Sequence, residues 1–457
     1  MPVQKNQCIP LVIESISSDG SGVGHFEGQA IFVPNTAPGD RLEVRIVKAC
    51  KRYAFGKTQR VIERSPQVIP PACTVCAACG GCCFWHLDYA AELCAKQGFV
   101  QEAFRRLGGL ELPVRPILPS PQTSRYRNKA QFPVQKGPDG HIRVGFYAQR
   151  SHRLIPCEDC LLQPPLLNQI AAAACGLMEQ LGISAYDEET HTGLVRHLLL
   201  RLGARTGQAM LCVVANGRSL PRAKEFCAAL QSRFPALVSI QLNCNTRPGN
   251  VILGSECTLL AGSPTIEDEM CGVPVSLGPL SFYQVNTPAA EQLYRAARDA
   301  AALGPGETLL DLYCGMGTIG LSIAGQNQPL VGVEVIAEAV EAARRSAARM
   351  GRQNARFLCA DAGQAAAQLA REGLRPDVVL LDPPRKGCDE ATLAAVCAMG
   401  PARVVMVSCN PATAARDVRW LAGQGYRPQY LQPADLFPRT RHVETICLLS
   451  KAVTDLN

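Results

Sequence analysis

Apolar residues follow three successive patterns along this chain. In segments 11–16, 29–33, 41–47 and 56–62 they form short β-like runs, broken by Ser18-Asp19-Gly20-Ser21-Gly22-Val23-Gly24 and by Pro38-Gly39-Asp40. Short strands between glycine-rich turns predict a small barrel. A Pro-containing hinge at 66–71 leads into a mixed α+β region, with a helix predicted over 87–107 and strands at 130–134, 198–201, 209–214 and 238–242. Beyond Phe282, strands at 308–313, 378–381 and 403–407 alternate with Ala-rich helices at 337–350 and 391–399. That alternation predicts a parallel, doubly wound α/β domain. The predicted division is therefore 1–65, 66–275 and 276–457, with the helix at 87–107 free to pack on the last unit.

The chain's 457 residues exceed one ordinary domain, and 47% hydrophobic against 19% charged residues exclude global disorder. No run of 18 apolar residues occurs, and the opening Met-Pro-Val-Gln-Lys-Asn-Gln lacks the basic and apolar regions of a signal peptide. A soluble cytoplasmic protein without a membrane partner is expected. In that compartment the 22 cysteines are thiols, metal ligands or nucleophiles rather than disulfides. The net charge of +7 permits a polyanionic partner without requiring one. Within the barrel, Arg41, Arg45, Lys48, Lys51, Arg52, Lys57, Arg60 and Arg64 interleave with Tyr53 and Phe55, which suits single-stranded nucleic acid as well as a solvated charged face.

Candidate chemistry gathers at strand ends. Asp311-Leu312-Tyr313-Cys314-Gly315-Met316-Gly317-Thr318-Ile319-Gly320 runs from an apolar strand into a glycine-rich turn and a helix, and Glu334 ends the next strand. The glycine spacing fits a dinucleotide as well as S-adenosylmethionine (SAM). Asp311 inside the strand, and Asp382-Pro383-Pro384-Arg385 at a later strand end, favour SAM, whose carriers surround methionine and ribose with acidic and amide groups. Ser408-Cys409-Asn410-Pro411 reaches the same edge, where a thiol in a ligand crevice is a nucleophile candidate. Glu444, just before a final apolar strand, is a candidate base if it packs near Cys409.

Cys73, Cys76, Cys79, Cys82 and Cys83 fall within eleven residues, a density that packing does not predict and metal or cluster ligation does. Two residues between the Cys73/Cys76 and Cys79/Cys82 pairs are too few for a zinc ribbon. Cys73-x2-Cys76-x2-Cys79-x3-Cys83 fits a ferredoxin run, although Phe84 replaces the usual proline and no second run occurs.

Asp311 to Gly315, Asp382 to Arg385, Ser408 to Pro411 and His442-Val443-Glu444-Thr445, in that order, resemble the RNA uracil-C5 methyltransferase family. Residues 18–33 are similar to its N-terminal TRAM domain, an OB-like barrel, and the cysteine segment is similar to its iron–sulfur motif. The resemblance implies a TRAM barrel, a mixed central domain with a [4Fe–4S] cluster and a Rossmann-like SAM-dependent catalytic domain. It implies Cys409 as nucleophile, Glu444 as proton acceptor, and Gln284, Tyr313, Glu334 and Asp382 as SAM-binding residues. It assigns the cluster to Cys73, Cys79, Cys82 and the distant Cys160, leaving Cys76, Cys83 and Cys157 as extra thiols. Tyr126-Arg127-Asn128-Lys129 and Gly145-Phe146-Tyr147 match the central region that meets RNA. Members with both TRAM domain and cluster resemble enzymes acting on 23S ribosomal RNA, so 23S RNA is the expected substrate, a tRNA T-loop the alternative, and a monomer the expected state. A radical-SAM methylthiotransferase would need Cys-x3-Cys-x2-Cys, which does not occur. A non-catalytic iron–sulfur RNA-binding protein would not need Cys409 and Glu444 beside Asp-Pro-Pro-Arg.

Overall fold

The computed structural model describes residues 3–452. Six strands, β1 (Cys8–Val12), β2 (Ser15–Ile16), β3 (Gly22–Phe26), β4 (Gln29–Val33), β5 (Arg41–Ala49) and β6 (Tyr53–Glu63), form one sheet in the order β1-β5-β6-β4-β3-β2. Alternate residues of β4 and β5 point inward, giving a separate core of Ile9, Leu11, Ile31, Val33, Leu42, Val44 and Ile46. The stretch 18–24, expected as a turn alone, contributes β3. Its glycines are strand residues because a Cβ at Gly22 would lie 2.0 Å from Thr36 Oγ1, and one at Gly24 would lie 2.1 Å from the Val12 carbonyl oxygen. Close backbone approach, not turn geometry, requires glycine there.

Helix α1 (Tyr89–Ala103) is capped by Asp88, whose carboxylate accepts from Ala91 N–H at 2.7 Å, and it ends in a π-helical turn at Phe104–Gly108. Val100 and Phe104 pack into the C-terminal core beside Leu310, Val404 and Val418. The central sheet takes β7 (Lys129–Lys136), β8 (Ile142–Tyr147), β9 (Leu154–Pro156), β10 (Val195–Leu202), β11 (Ala209–Ala215), β12 (Leu237–Cys244) and β13 (Glu256–Gly262) in the order β13-β12-β11-β10-β7-β8-β9. Helices α2 (Pro165–Gln180) and α3 (Ala223–Arg233) cover it. The hairpin of β14 (Ile266–Met270) and β15 (Val273–Leu277) buries its apolar face in the C-terminal core.

The C-terminal sheet has the order β18-β17-β16-β19-β20-β22-β21. Its strands are β16 (Leu309–Leu312), β17 (Leu330–Glu334), β18 (Ala355–Cys359), β19 (Val378–Leu381), β20 (Arg403–Ser408), β21 (Tyr426–Ala434) and β22 (Glu444–Lys451). Helices α4 (Thr287–Ala301), α5 (Thr318–Ile323), α6 (Ala337–Arg349), α7 (Ala362–Arg371), α8 (Glu390–Met399) and α9 (Pro411–Gly423) lie between or before them. Strands β16 to β20 pair in parallel, and β22 pairs antiparallel with both β20 and β21. Every residue of β16 and β19 is buried, as strands covered on both faces must be. Strand order reverses at β16, so a crevice opens at the carboxyl ends of β16 and β19. Among the described residues no helix is long and apolar enough to cross a membrane.

Candidate active site

That crevice is the mouth of a cavity of about 1140 Å3, lined among others by Gln284, Tyr313, Glu334, Asp382, Cys409 and Glu444. All six residues expected at strand ends or in the segment entering the C-terminal domain therefore converge on one space. The turn after β16 takes left-handed backbone at Tyr313 (φ +66°), Gly315 (+54°) and Gly317 (+75°). A Cβ on Gly315 would meet nothing within 4 Å, so the backbone leaves a cradle for a ligand. Glu334 is locked at the end of β17, its carboxylate accepting from Gly315 N–H (3.1 Å) and Ile336 N–H (2.9 Å). Tyr313 donates to Thr392 Oγ1 at 3.5 Å, and Asn128 holds the carbonyl of Gln284 at 2.8 Å. Carboxylates, amide and glycine turn suit a cation with a ribose, as the chemistry of SAM requires.

Register brings together Cys409 and Glu444, the expected nucleophile and proton acceptor. Strands β20 and β22 run antiparallel with Ser408 opposite Thr445, so the next residue of one, Cys409, meets the preceding residue of the other, Glu444. Asn410 then caps α9, accepting from Ala412 N–H at 3.2 Å, and Pro411 occupies the first turn, which fixes Cys409 at a strand-to-helix corner. Burial, then the charges of Glu444 and Asp382, push the Cys409 thiol up to about 11, while Arg385 beside it pulls the other way. Glu444 is pushed up to about 8 by burial and then by Asp382, again opposed by Arg385. Burial raises Asp382 to about 7, and Asp311 behind it stands well above the usual carboxylate range through burial and then the charge of Asp382. A cleft in which carboxylates resist ionisation suits a cation, and a carboxyl raised this far exchanges its proton near neutrality.

Sequence reasoning missed two features of this site. Arg385 lies 3.5 Å from His442 Nδ1, and its charge opposes the upward shifts of both Cys409 and Glu444. Phe282, 72% exposed, stands on the cavity wall, and the exposed Leu280 lies two residues before it. No signal in the sequence marks that exposure. The loop bearing them is gripped by the buried guanidinium of Arg201, which donates to the carbonyls of Pro279 (3.2 Å) and Ser281.

A second cavity, about 190 Å3, is lined by Cys73, Cys76, Cys79, Cys82, Cys157 and Cys160, with Trp85, Arg127 and Lys129. The four expected ligands thus face one space although Cys160 is distant in sequence. Cys83 turns elsewhere, packing beside Phe84, Leu87 and Gly20, which removes it from a ferredoxin-type set. Among the described residues no three ligand-type side chains close on the position of a single metal ion. Burial raises Cys79 and Cys82, whereas Cys160 is lowered, first by a hydrogen bond from Cys157 and also by the Leu162 and Gln163 N–H groups.

Comparison with known proteins agrees with this geometry. Residues 277–452 match the family described as tRNA (Uracil-5-)-methyltransferase, and residues 2–58 match the TRAM domain. An uncharacterized RNA methyltransferase of Halalkalibacterium halodurans is 40% identical over 449 residues, covering 98% of each chain. One from Gloeobacter violaceus is 40% identical over 450 residues, covering 98% of this chain and 97% of its own. Among solved structures, the tRNA (uracil-54, C5)-methyltransferase of Pyrococcus abyssi in complex with S-adenosyl-L-homocysteine superposes with a TM-score of 0.76 at 26% identity, over 96% of this chain and all of that one. With a glycine-cradled crevice and a thiol and carboxyl set opposite each other beside it, this chain belongs to the SAM-dependent RNA (uracil-5-)-methyltransferase family.

Proposed function

We propose that the protein methylates C5 of a uridine in 23S ribosomal RNA through a covalent bond between Cys409 and C6 of the base. The observation that carries this reading is the Ser408–Thr445 pairing, which ends the β20/β22 ladder where Cys409 and Glu444 both face the cavity that Asp382 and Glu334 also line. Uracil C5 is too weak a nucleophile to accept a methyl group unaided. Cys409 loses its proton to water, with Arg385 favouring the anion, and the thiolate adds to C6; the ring electrons move onto C5 and O4, and C5 becomes enolate-like. SAM, which Gln284, Tyr313, Glu334 and Asp382 would hold, would supply an electrophilic methyl group to C5, the sulfonium bond breaking to leave S-adenosyl-L-homocysteine. Glu444 then takes the C5 proton, and the returning electron pair expels Cys409 as thiolate. A base paired in a helix cannot reach this pocket, so the uridine is flipped out.

In this reading Cys73, Cys79, Cys82 and Cys160 hold a [4Fe–4S] cluster. The donor chemistry fits: thiols line a cavity wider than one ion, and Arg127 and Lys129 beside them offset the negative charge of a thiolate-bound cluster. Methyl transfer consumes no electrons, so the group would be structural or position RNA. The working division is a TRAM domain at 1–65, a central domain at 66–275 and a catalytic domain at 276–457, in a cytoplasmic monomer. The TRAM domain and cluster segment favour ribosomal RNA; a tRNA T-loop is the second reading, and the Pyrococcus abyssi protein is named for uracil-54 of tRNA. Methyl transfer from labelled SAM to 23S and tRNA transcripts, followed by nuclease mapping, tests the assignment: 5-methyluridine in 23S RNA alone supports it, and in tRNA alone overturns the substrate.

A further inference from the structure

The segment 435–443, which joins β21 to the Glu444 end of β22, has no regular secondary structure yet is mostly buried. Buried loops need partners for their backbone groups, and these come from residues far away in sequence. Lys96, fully buried on α1, donates to Glu92 (2.7 Å), Asp435 (2.7 Å) and the carbonyl of Phe437 (3.1 Å). Tyr126 Oη donates to the Pro438 carbonyl at 2.9 Å. The Arg439 carbonyl accepts from the N–H groups of Cys83 (2.9 Å) and Phe84 (3.1 Å), and its own N–H donates to Glu92 Oε1 (2.7 Å).

Arg439 is the centre of the arrangement. Its φ of +69° is a left-handed conformation that glycine would adopt without strain. An arginine at that position must be held by its side chain. The guanidinium donates to the Leu87 carbonyl (3.1 Å), meets Glu92 Oε2 (3.5 Å) and lies over Trp85 (5.2 Å) and Tyr89 (5.7 Å).

Cys409 is fixed independently, by β20 and the Asn410 cap of α9. Val100 and Phe104 pack against β20 and α9, but of the two strand ends the hydrogen bonds of residues 83–96 reach only the segment that leads to Glu444. We propose that Arg439 is a positioning residue for Glu444, so that residues 83–96 govern proton abstraction and product release while leaving attack by Cys409 and methyl transfer alone. This rests on the Cys409 and Glu444 roles proposed above.

The test compares wild type with Arg439→Gly, Tyr126→Phe and Glu444→Gln, all purified anaerobically as full chains, with SAM and 23S and tRNA transcripts in parallel. Single-turnover mixing reads formation of the denaturation-resistant protein–RNA adduct, and a chase reads its decay. In Arg439→Gly, adduct should form within about twofold of the wild-type rate and decay about 10- to 100-fold more slowly, the cost of a displaced catalytic group. Tyr126→Phe, which deletes one oxygen and keeps the ring, should slow decay several-fold and carries the test if the glycine variant does not fold. Adduct decay at the wild-type rate in both variants overturns the proposal, as does equal slowing of formation and decay, which a merely structural role would give. If Glu444→Gln decays normally, the base assignment itself falls, and the positioning role with it; normal accumulation in Glu444→Gln alone rejects only the positioning role.

Discussion

Replacing Glu444 with glutamine should disable the enzyme and stabilise it. The carboxyl is 4% exposed, and it is pushed from its ordinary 4.5 up to about 8, first by burial, then by the charge of Asp382, with Arg385 opposing. A carboxyl whose folded-state value lies above the unfolded one contributes stability that is fully present below pH 4.5 and is lost as pH rises to about 8. At about 1.36 kcal/mol per pH step, that interval corresponds to roughly 5 kcal/mol as an upper bound. Water reaching the open cleft screens part of it, so we expect about 2 kcal/mol by pH 8.5. Glutamine has the same shape and does not titrate. Its melting temperature should coincide with wild type near pH 5 and rise above it with increasing pH, by about 4–8 °C at pH 8.5 for a unit the size of the catalytic domain. Thermal unfolding without SAM from pH 5 to 9, followed through Trp420 on α9, reads the difference. A variant less stable than wild type at pH 8.5, or a gap that does not change with pH, would refute the reasoning.

Other expectations follow from the same contacts. Cys409→Ala should abolish methylation and adduct while leaving SAM affinity, measured by calorimetry, within about twofold, because no element of the glycine turn depends on that thiol; residual turnover near wild type would remove Cys409 from the mechanism. Anaerobically purified protein should contain iron and sulfide. Cys160→Ser should lower that content strongly and Cys83→Ser should not, since Cys83 faces away from the thiol-lined cavity; iron near zero in wild type would end the cluster assignment. Lys96→Met should cost about 3–5 kcal/mol in denaturant titration, as it leaves Glu92 and Asp435 buried without their shared cation.

The candidate site residues could be picked out because each lies in a contiguous strand–turn segment, and the structure gathers them around one cavity. Tyr313, Glu334, Asp382 and Cys409 all sit where a parallel strand delivers them to the sheet edge. What brings Cys409 to Glu444 is an antiparallel register, which no local pattern encodes. The strand Gly22–Phe26 was hidden because its glycines answer tertiary crowding by Thr36 and the Val12 backbone. The 266–277 hairpin packs in the C-terminal core although its sequence reads as a tail of the central region. The buried Lys96 network was invisible for a simpler reason: its partners are 339 residues apart, and a lysine on a predicted helix is ordinarily a surface residue.

The central claim is the covalent bond between Cys409 and the uracil ring. Incubating the protein with SAM and 5-fluorouridine-substituted 23S RNA, beside a tRNA control, tests it most directly, because fluorine at C5 cannot leave as a proton and the adduct should persist through denaturation. A protein–RNA adduct should form on the ribosomal fragment, map by mass to Cys409 and be absent from Cys409→Ala. No adduct on either RNA, with SAM binding and methylation of the unsubstituted fragment both demonstrated, would contradict it.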